Sequence, residues 1–422
     1  MVINSYIHSL NFIIPRDFGH HLHFKGKKRF KTRTQSATIL SRQNKNLIFY
    51  RLVFVIGIIK LASLRKKKLP RVSCEMGDII LVSVISILDK PIVKTLICGF
   101  GSIGRRHLNN LRTLGETEFV LLRSHQSTLE EGDLNGIPVE TEINSALAHH
   151  PDAIIVSNPT ALHLGVAIPT AQAGCAILLE KPISHDMQRV NELQLALEEN
   201  GNRLLVGFQF RFHPVLRKVK ELLLKNDIGR ITSFRAHWGE YLPGWHPWED
   251  YRQSYSARLE LGGGVVNTLS HPLDYLRWFF GNPSEVWALT SSIGLGLDVE
   301  DTAEIGLCYS NGMTGSVHLD YIQQPPEHTF LIIGTDGTIT FDNASASAVI
   351  HRPGKPEAEN ILPPAGFERN QLFLDEMRHF QHVVSGKELP ACTFDDGIAA
   401  LKITLAVHQS AGTGQLVRLE SS

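Results

Sequence analysis

From position 93 onward the chain alternates short apolar runs with longer stretches in which apolar residues recur every three or four positions. Residues 93–98 read as a buried strand, and 102–114 as a helix ending at Gly115, which suits a left-handed cap. Residues 119–122, 152–156, 176–179 and 204–206 read as further strands, with helices over about 161–173 and 187–199. Such strand–helix alternation predicts a parallel, doubly wound sheet. Further on, 231–238 reads as a strand, and Gly262, Gly263 and Gly264 introduce a helix over 265–280. Beyond Pro283 the pattern turns β-rich, over 285–291, 302–309, 315–319, 329–333 and 338–341. Asn311-Gly312 and Asp336-Gly337 are hairpin signals within that run. Helices over about 371–384 and 395–411 follow. The fold class is α/β, with a first domain over 93–213 and a second over 214–422.

Residues 1–92 stand apart. Of the chain's 42 basic and 42 acidic residues, 16 and 2 lie in 1–75, leaving 26 and 40 after it, a net of −14. An acidic body excludes nucleic acid as the expected partner. The basic front carries Lys25-Gly26-Lys27-Lys28-Arg29 and Arg65-Lys66-Lys67-Lys68. The apolar stretch 47–64 between them is broken by Arg51 and Lys60, and its uninterrupted part, 52–59, falls short of the roughly twenty residues of a membrane span. It is read as a membrane-associating amphipathic segment, a transit-like extension, or a start assigned upstream of Met76. The last is the expectation adopted, because the pattern beyond it is self-sufficient. Cys74, Cys98, Cys175, Cys308 and Cys392 are scattered with no C-x-x-C pair, which suits a reducing, cytoplasmic setting and suggests no metal site or disulfide framework.

The chemistry concentrates at predicted strand ends. Gly99-Phe100-Gly101-Ser102-Ile103-Gly104 follows the first strand and opens the first helix. Gly99 permits a tight turn, Gly101 lets a pyrophosphate approach the backbone, and Gly104 lets helix pack on strand. Free N–H groups and the helix dipole, at Ser102 and Ile103, would meet the phosphates. The second strand ends in Arg123-Ser124, where a carboxylate would select NAD. An arginine and a serine there suit a 2′-phosphate, so NADP(H) is favoured and NAD(H) remains open. The competing reading of Arg123 is a solvated strand-end charge, or a stack on adenine without selection. Asn158 and Pro159 end another strand, with Thr160 as a helix N-cap and His163 one turn on. These are cofactor candidates that also suit plain capping and helix surface. Glu180-Lys181-Pro182 lies at a further strand end, where the proline holds Lys181 extended.

The motifs GFGSIG, SNPTALH, LLEKPIS, VGFQFRFHP and GGGVVNTLSHPLDYLRWFFG, in this order, resemble the glucose–fructose oxidoreductase, inositol dehydrogenase and rhizopine-catabolism family, written Gfo/Idh/MocA. The resemblance covers roughly 93–419. It implies a Rossmann domain followed by an α/β domain with a large open, mostly antiparallel sheet, one face covering the active site and the other often mediating homo-oligomers. It also implies nicotinamide-dependent hydride transfer at a carbinol or carbonyl carbon of a sugar, cyclitol or related compound. In that setting Lys181 would be the acid/base beside the nicotinamide, with Glu180 near the cofactor.

Gln209 and Arg211 share one face if 206–214 is extended, and the resemblance puts that face near cofactor and substrate; a structural ion pair for Arg211 is the other reading. Between 241 and 258, Trp245, His246 and Arg258 stand among aromatics and hydrogen-bonding groups that would suit a polyol, or a loop packed beneath the domain. The family's usual histidine matches His271, but its usual aspartate position holds Thr268, which puts a carboxylate-assisted relay in doubt. Either Lys181 and His271 suffice, or Asp274 orients His271; the spacing of three also fits a helix-face pair with no catalytic part. Two other functions stay open. One is a non-catalytic nucleotide-binding sensor, and the other an enzyme that oxidises and re-reduces its substrate within one cycle.

Overall fold

The computed structural model describes residues 93–124, 134, 136–201 and 203–419. The readings made for 1–92, Cys74 among them, lie outside these residues.

Six short strands form the first sheet: β1 (Lys94–Cys98), β2 (Glu118–Leu122), β3 (Val139–Glu140), β4 (Ala153–Val156), β5 (Ala176–Glu180) and β6 (Leu204–Gly207). All ladders are parallel, in the order β3-β2-β1-β4-β5-β6. The order reverses between β1 and β4, and in an open α/β sheet the crevice at that point, outside the strands' carboxyl ends, takes the ligand. Strands β4, β5 and β6 are buried at every position because helices cover both faces. The covering helices include α1 (Ser102–Thr113), α2 (Ile143–Leu147), α3 (His163–Gln172) and α4 (Val190–Glu199). Two helix starts differ from expectation. Thr160 does not cap α3; it opens a 3₁₀ turn, Thr160–Leu162, with no side-chain cap bond. Helix α4 begins three residues later than expected.

After α5 (Pro214–Leu224) and β7 (Ile231–Gly239) come two short helices, α6 (Val265–Thr268) and α7 (His271–Phe280). Then follow β8 (Glu285–Ser291), β9 (Thr302–Cys308), β10 (Thr314–Asp320), β11 (Glu327–Gly334), β12 (Gly337–Asp342), β13 (Ser347–His351) and β14 (Glu359–Ile361). Helices α8 (Asn370–Val384) and α9 (Phe394–Thr413) and strand β15 (Val417–Arg418) close the chain. The second sheet runs β14-β13-β12-β11-β7-β10-β9-β8-β15. Its described ladders are antiparallel except β7–β10. Asp336-Gly337 turns β11 into β12, and Asn311-Gly312 lies between β9 and β10.

The two sheets have separate apolar cores, but the last two helices serve both. Met377 and Phe380 of α8 bury with the first core, as do Phe394 and Leu401 of α9, while Ile403 and Val407 of α9 bury with the second. The stretch 214–422 therefore contributes to both cores. The single helix expected over 265–280 is broken at Leu269 and Ser270. Pro272 is the cause. It has no N–H to bond the carbonyl four residues back, Thr268, and its ring crowds that turn.

Candidate active site

The glycine turn after β1 is packed on two sides and open on one. Gly99 has φ +83°, and a Cβ there would lie 2.5 Å from the Asn158 backbone nitrogen. At Gly104 a Cβ would lie 2.1 Å from the Gly99 carbonyl oxygen. At Gly101 it would meet nothing within 4 Å, so the space beside that backbone is free for a ligand. The Ser157 hydroxyl, at the end of β4, bonds the Cys98 and Gly99 carbonyls at 2.9 and 3.0 Å and fixes the turn across the switch point. Ser102 is exposed and Ile103 half-buried at the start of α1, whose first turn carries no acidic residue. Open backbone, unscreened dipole and turn together fit a dinucleotide pyrophosphate.

Arg123 follows β2 and is buried, so the solvated-charge reading does not hold; Ser124 beside it is exposed. His163 lies inward and buried. Its Nδ1 is 2.9 Å from the Pro182 carbonyl and its Nε2 3.0 Å from that of Asn158. That histidine ties β4's end to the Lys181-Pro182 turn rather than facing a cofactor. Asn158 turns its amide nitrogen to the Leu162 carbonyl at 3.2 Å, and Thr160 is buried under Gly262.

Lys181 follows β5 and is half-buried. Its Nζ donates to the main-chain carbonyl of Thr268. That carbonyl lacks its helical donor because residue 272 is proline, so the break between α6 and α7 creates the acceptor that holds the amine. Burial pushes Lys181 down to about 8, against the upward pull of the Glu180 and Glu240 carboxylates. Glu180 accepts from His107 at 2.8 Å and from the Lys181 backbone N–H at 3.3 Å. Burial raises this carboxyl, but the hydrogen bond and charge of His107, with Lys181's charge, bring it below the ordinary range. Sequence reasoning missed His107 and Glu240. His107 had a signal: it shares with Gly104, Leu108 and Leu111 the buried face of α1, where a titratable ring needs a partner. Glu240, which also accepts from Trp238 Nε1 at 3.0 Å, carries no local mark.

His271 opens α7 inside an aromatic box. The rings of Phe208, Phe210 and Trp238 lie 5.7, 5.1 and 5.4 Å from it, centroid to centroid. Burial first, then the Lys181 charge, hold its pKa well below the ordinary imidazole range, so it is neutral at pH 7. Gln209 Nε2 approaches His271 Nε2 at 3.3 Å.

Three expectations change. The segment Gln209–Phe212 is a 3₁₀ turn, not extended, so Gln209 and Arg211 diverge. Arg211 is buried, grips Asp274 through two bonds of 3.0 and 2.6 Å, and bonds Asp396 at 2.9 Å. Asp274 is thereby committed to Arg211 and does not orient His271; Arg277 completes the network on Asp396. Arg258 is turned outward to Glu260, at 2.7 Å. Trp245 rests edge-on against Tyr321 at 5.9 Å, and His246 lies 5.2 Å from Trp248, centroid to centroid. Among the described residues no helix is long and apolar enough to cross a membrane.

Two family models match in sequence. The model for the oxidoreductase family with an NAD-binding Rossmann fold covers 93–208, and that for the GFO/IDH/MocA C-terminal domain covers 216–340. The chain is 27% identical to 1,5-anhydro-D-fructose reductase of Ensifer adhaerens over 322 residues, which is 73% of this chain and 92% of that one. It is 25% identical to myo-inositol 2-dehydrogenase of Thermotoga maritima, over 77% of this chain and 98% of the other. A solved structure of levoglucosan dehydrogenase in complex with NADH and levoglucosan shares the fold at TM-score 0.67 and 20% identity, over 78% of this chain and all of that one. With both halves matched in order, and with the glycine turn and Lys181 at the carboxyl ends of one parallel sheet, the chain belongs to the Gfo/Idh/MocA oxidoreductases.

Proposed function

We propose that this chain transfers hydride to or from a carbinol or carbonyl carbon of a sugar, cyclitol or sugar derivative, with Lys181 as the acid/base and His271 beside it. One observation carries the reading. An amine with its pKa lowered to about 8 is held at a strand's carboxyl end by a carbonyl that the helix break leaves free. The names of the relatives, a reductase of an anhydro-sugar and dehydrogenases of inositol and levoglucosan, support the substrate class.

A bound nicotinamide would supply the hydride acceptor or donor. Gly99, Gly101 and Gly104, with Ser102 and Ile103 at the start of α1, would cradle its pyrophosphate. Arg123 and Ser124, where a carboxylate would repel a 2′-phosphate, favour NADP(H). Lys181 Nζ gives its proton to the substrate oxygen as a carbonyl becomes an alcohol, and takes it back in oxidation. Neutral His271, packed beside Gln209, stands near Lys181 without adding a second cation there. Thr268 contributes its main chain to this arrangement in place of a carboxylate. Trp245 and His246 would line the polyol's side of the site. A second copy would pack on the outer face of the nine-stranded sheet, where Trp287 and Leu289 of β8 are exposed.

Fluorescence titration with NADPH and NADH, followed by a sugar and cyclitol screen, tests the reading. Tight NADPH binding with weaker NADH and turnover on a polyol is the expected result. A preference for NADH overturns the role given to Arg123. Binding of neither by folded protein moves the chain to the non-catalytic reading.

A further inference from the structure

Away from the cofactor turn and Lys181, the outer face of the second sheet carries a cluster that hydride transfer does not use. His237 on β7 and His318 on β10 are direct register partners, and Asp320, two residues beyond His318, emerges on the same face. One donor atom from each lies within 4.8 Å of the others. We propose that His237, His318 and Asp320 bind a divalent transition metal ion of the zinc class.

Four features make this a built site. First, His318 Nε2 lies 3.1 Å from Asp320 Oδ2. A tetrahedral zinc ion with bonds of about 2.0–2.2 Å sets neighbouring donors about 3.3–3.6 Å apart, close to that spacing. Second, the other nitrogen of that ring, Nδ1, faces Glu304 Oε1 at 2.6 Å. A carboxylate behind a metal-binding imidazole fixes its tautomer and orientation. Third, Asp320 Oδ1 is pinned by the backbone N–H groups of Ile322 and Gln323 at 2.7 and 2.6 Å, which leaves Oδ2 for an ion. Fourth, β7 ends in Gly239, where a Cβ would lie 2.3 Å from Asp320 Oδ2 and 2.4 Å from Gln323 Oε1. Gly239 has no positive φ to explain it, so what it provides is room for those two oxygens. His237 bonds Gln323 Oε1 at 2.5 Å and His318 Nε2 bonds Asp320 Oδ2, so an ion would replace both bonds and release the proton that His318 and Asp320 share. Water or Gln323 would then fill the fourth position.

Two imidazoles and one carboxylate suit zinc, nickel or copper rather than magnesium or calcium, which take oxygen donors. The ion would clamp β7 to β10, the parallel ladder in a sheet whose other described ladders are antiparallel. Parallel pairing is the slightly weaker kind, so the clamp would act where it stabilises most.

The test uses the full chain, stripped with a chelator and titrated with Zn²⁺ by calorimetry and with Co²⁺ by visible absorption. The expected result is a stoichiometric site with tetrahedral Co²⁺ bands and a Tm that rises with zinc. Its affinity should fall at least tenfold in His318→Ala and in Asp320→Asn, and about 10–100-fold in Glu304→Gln. His20, His21 and His23 lie elsewhere in the chain, so the variants decide the matter rather than the native titration. Binding that survives His318→Ala unchanged, or no stoichiometric binding by native protein, overturns the proposal. If His318→Ala does not fold, His237→Gln is read in the same way.

Discussion

Two clusters of buried charge lie within this fold and differ in how their polar atoms are used. In one, Arg211, Asp274, Arg277 and Asp396 close on each other across the 3₁₀ turn after β6, helix α7 and helix α9. Two cations meet two carboxylates, and nothing in the set points toward a ligand. In the other, Lys181 has the Glu180 and Glu240 carboxylates nearby, but its ammonium is bonded to a main-chain carbonyl, and burial has moved its pKa toward neutrality. Both would look functional in a list of buried charges. The difference teaches that charges paired with one another mark a structural tie, whereas an ammonium held by a neutral carbonyl, with its pKa displaced, marks chemistry.

That contrast can be broken most directly at its two centres. Lys181→Ala should lower turnover by about 10²–10⁴-fold while thermal unfolding stays close to native, measured by steady-state kinetics beside calorimetry. Asp274→Ala should do the reverse. Leaving Arg211 buried and half-paired should cost about 3–5 kcal/mol in denaturant unfolding, with any activity loss following the unfolded fraction. If both variants lost activity at unchanged stability, the contrast would collapse. A smaller effect should separate two glycines of one turn. Gly104→Ala forces a Cβ against the Gly99 carbonyl and should cost about 1–3 kcal/mol. Gly101→Ala enters open space, so it should leave stability alone and weaken NADPH binding. The smallest effect is a pH signature. A lowered lysine pKa leaves the acid form dominant below about 8, so reduction should be level there and decline above it. Oxidation should rise through the same point, and neither limb should persist in Lys181→Ala.

Much of this was legible in the chain, for identifiable reasons. The first sheet's strands are buried apolar runs punctuated by glycines, and that pattern is local. The glycine turn and Lys181 were equally readable, because each sits one step beyond such a run. The failures came where a residue's meaning depends on a distant partner. Arg211 allowed a site role or a structural ion pair, and Asp274 and Asp396, 63 and 185 residues away, decide for the pair. Asp274 looked like a helper for His271 because helix spacing allowed it, yet a guanidinium from another element took its carboxylate. The continuous helix over 265–280 failed differently. Pro272 stood in plain view, but its effect on the carbonyl four residues earlier was not drawn. His237 and His318 are neighbours only through strand pairing, which sequence spacing does not show.

The tether that holds the Lys181 amine is a peptide oxygen, so it belongs to no side chain. Alanine replacement at Thr268 would leave that oxygen in place. The sensitive position is four residues on. Any residue other than proline at 272 supplies an amide hydrogen that competes with the ammonium for the same oxygen. A requirement for one ring-closed residue can thus be the visible trace of a contact that mutational scanning cannot otherwise see.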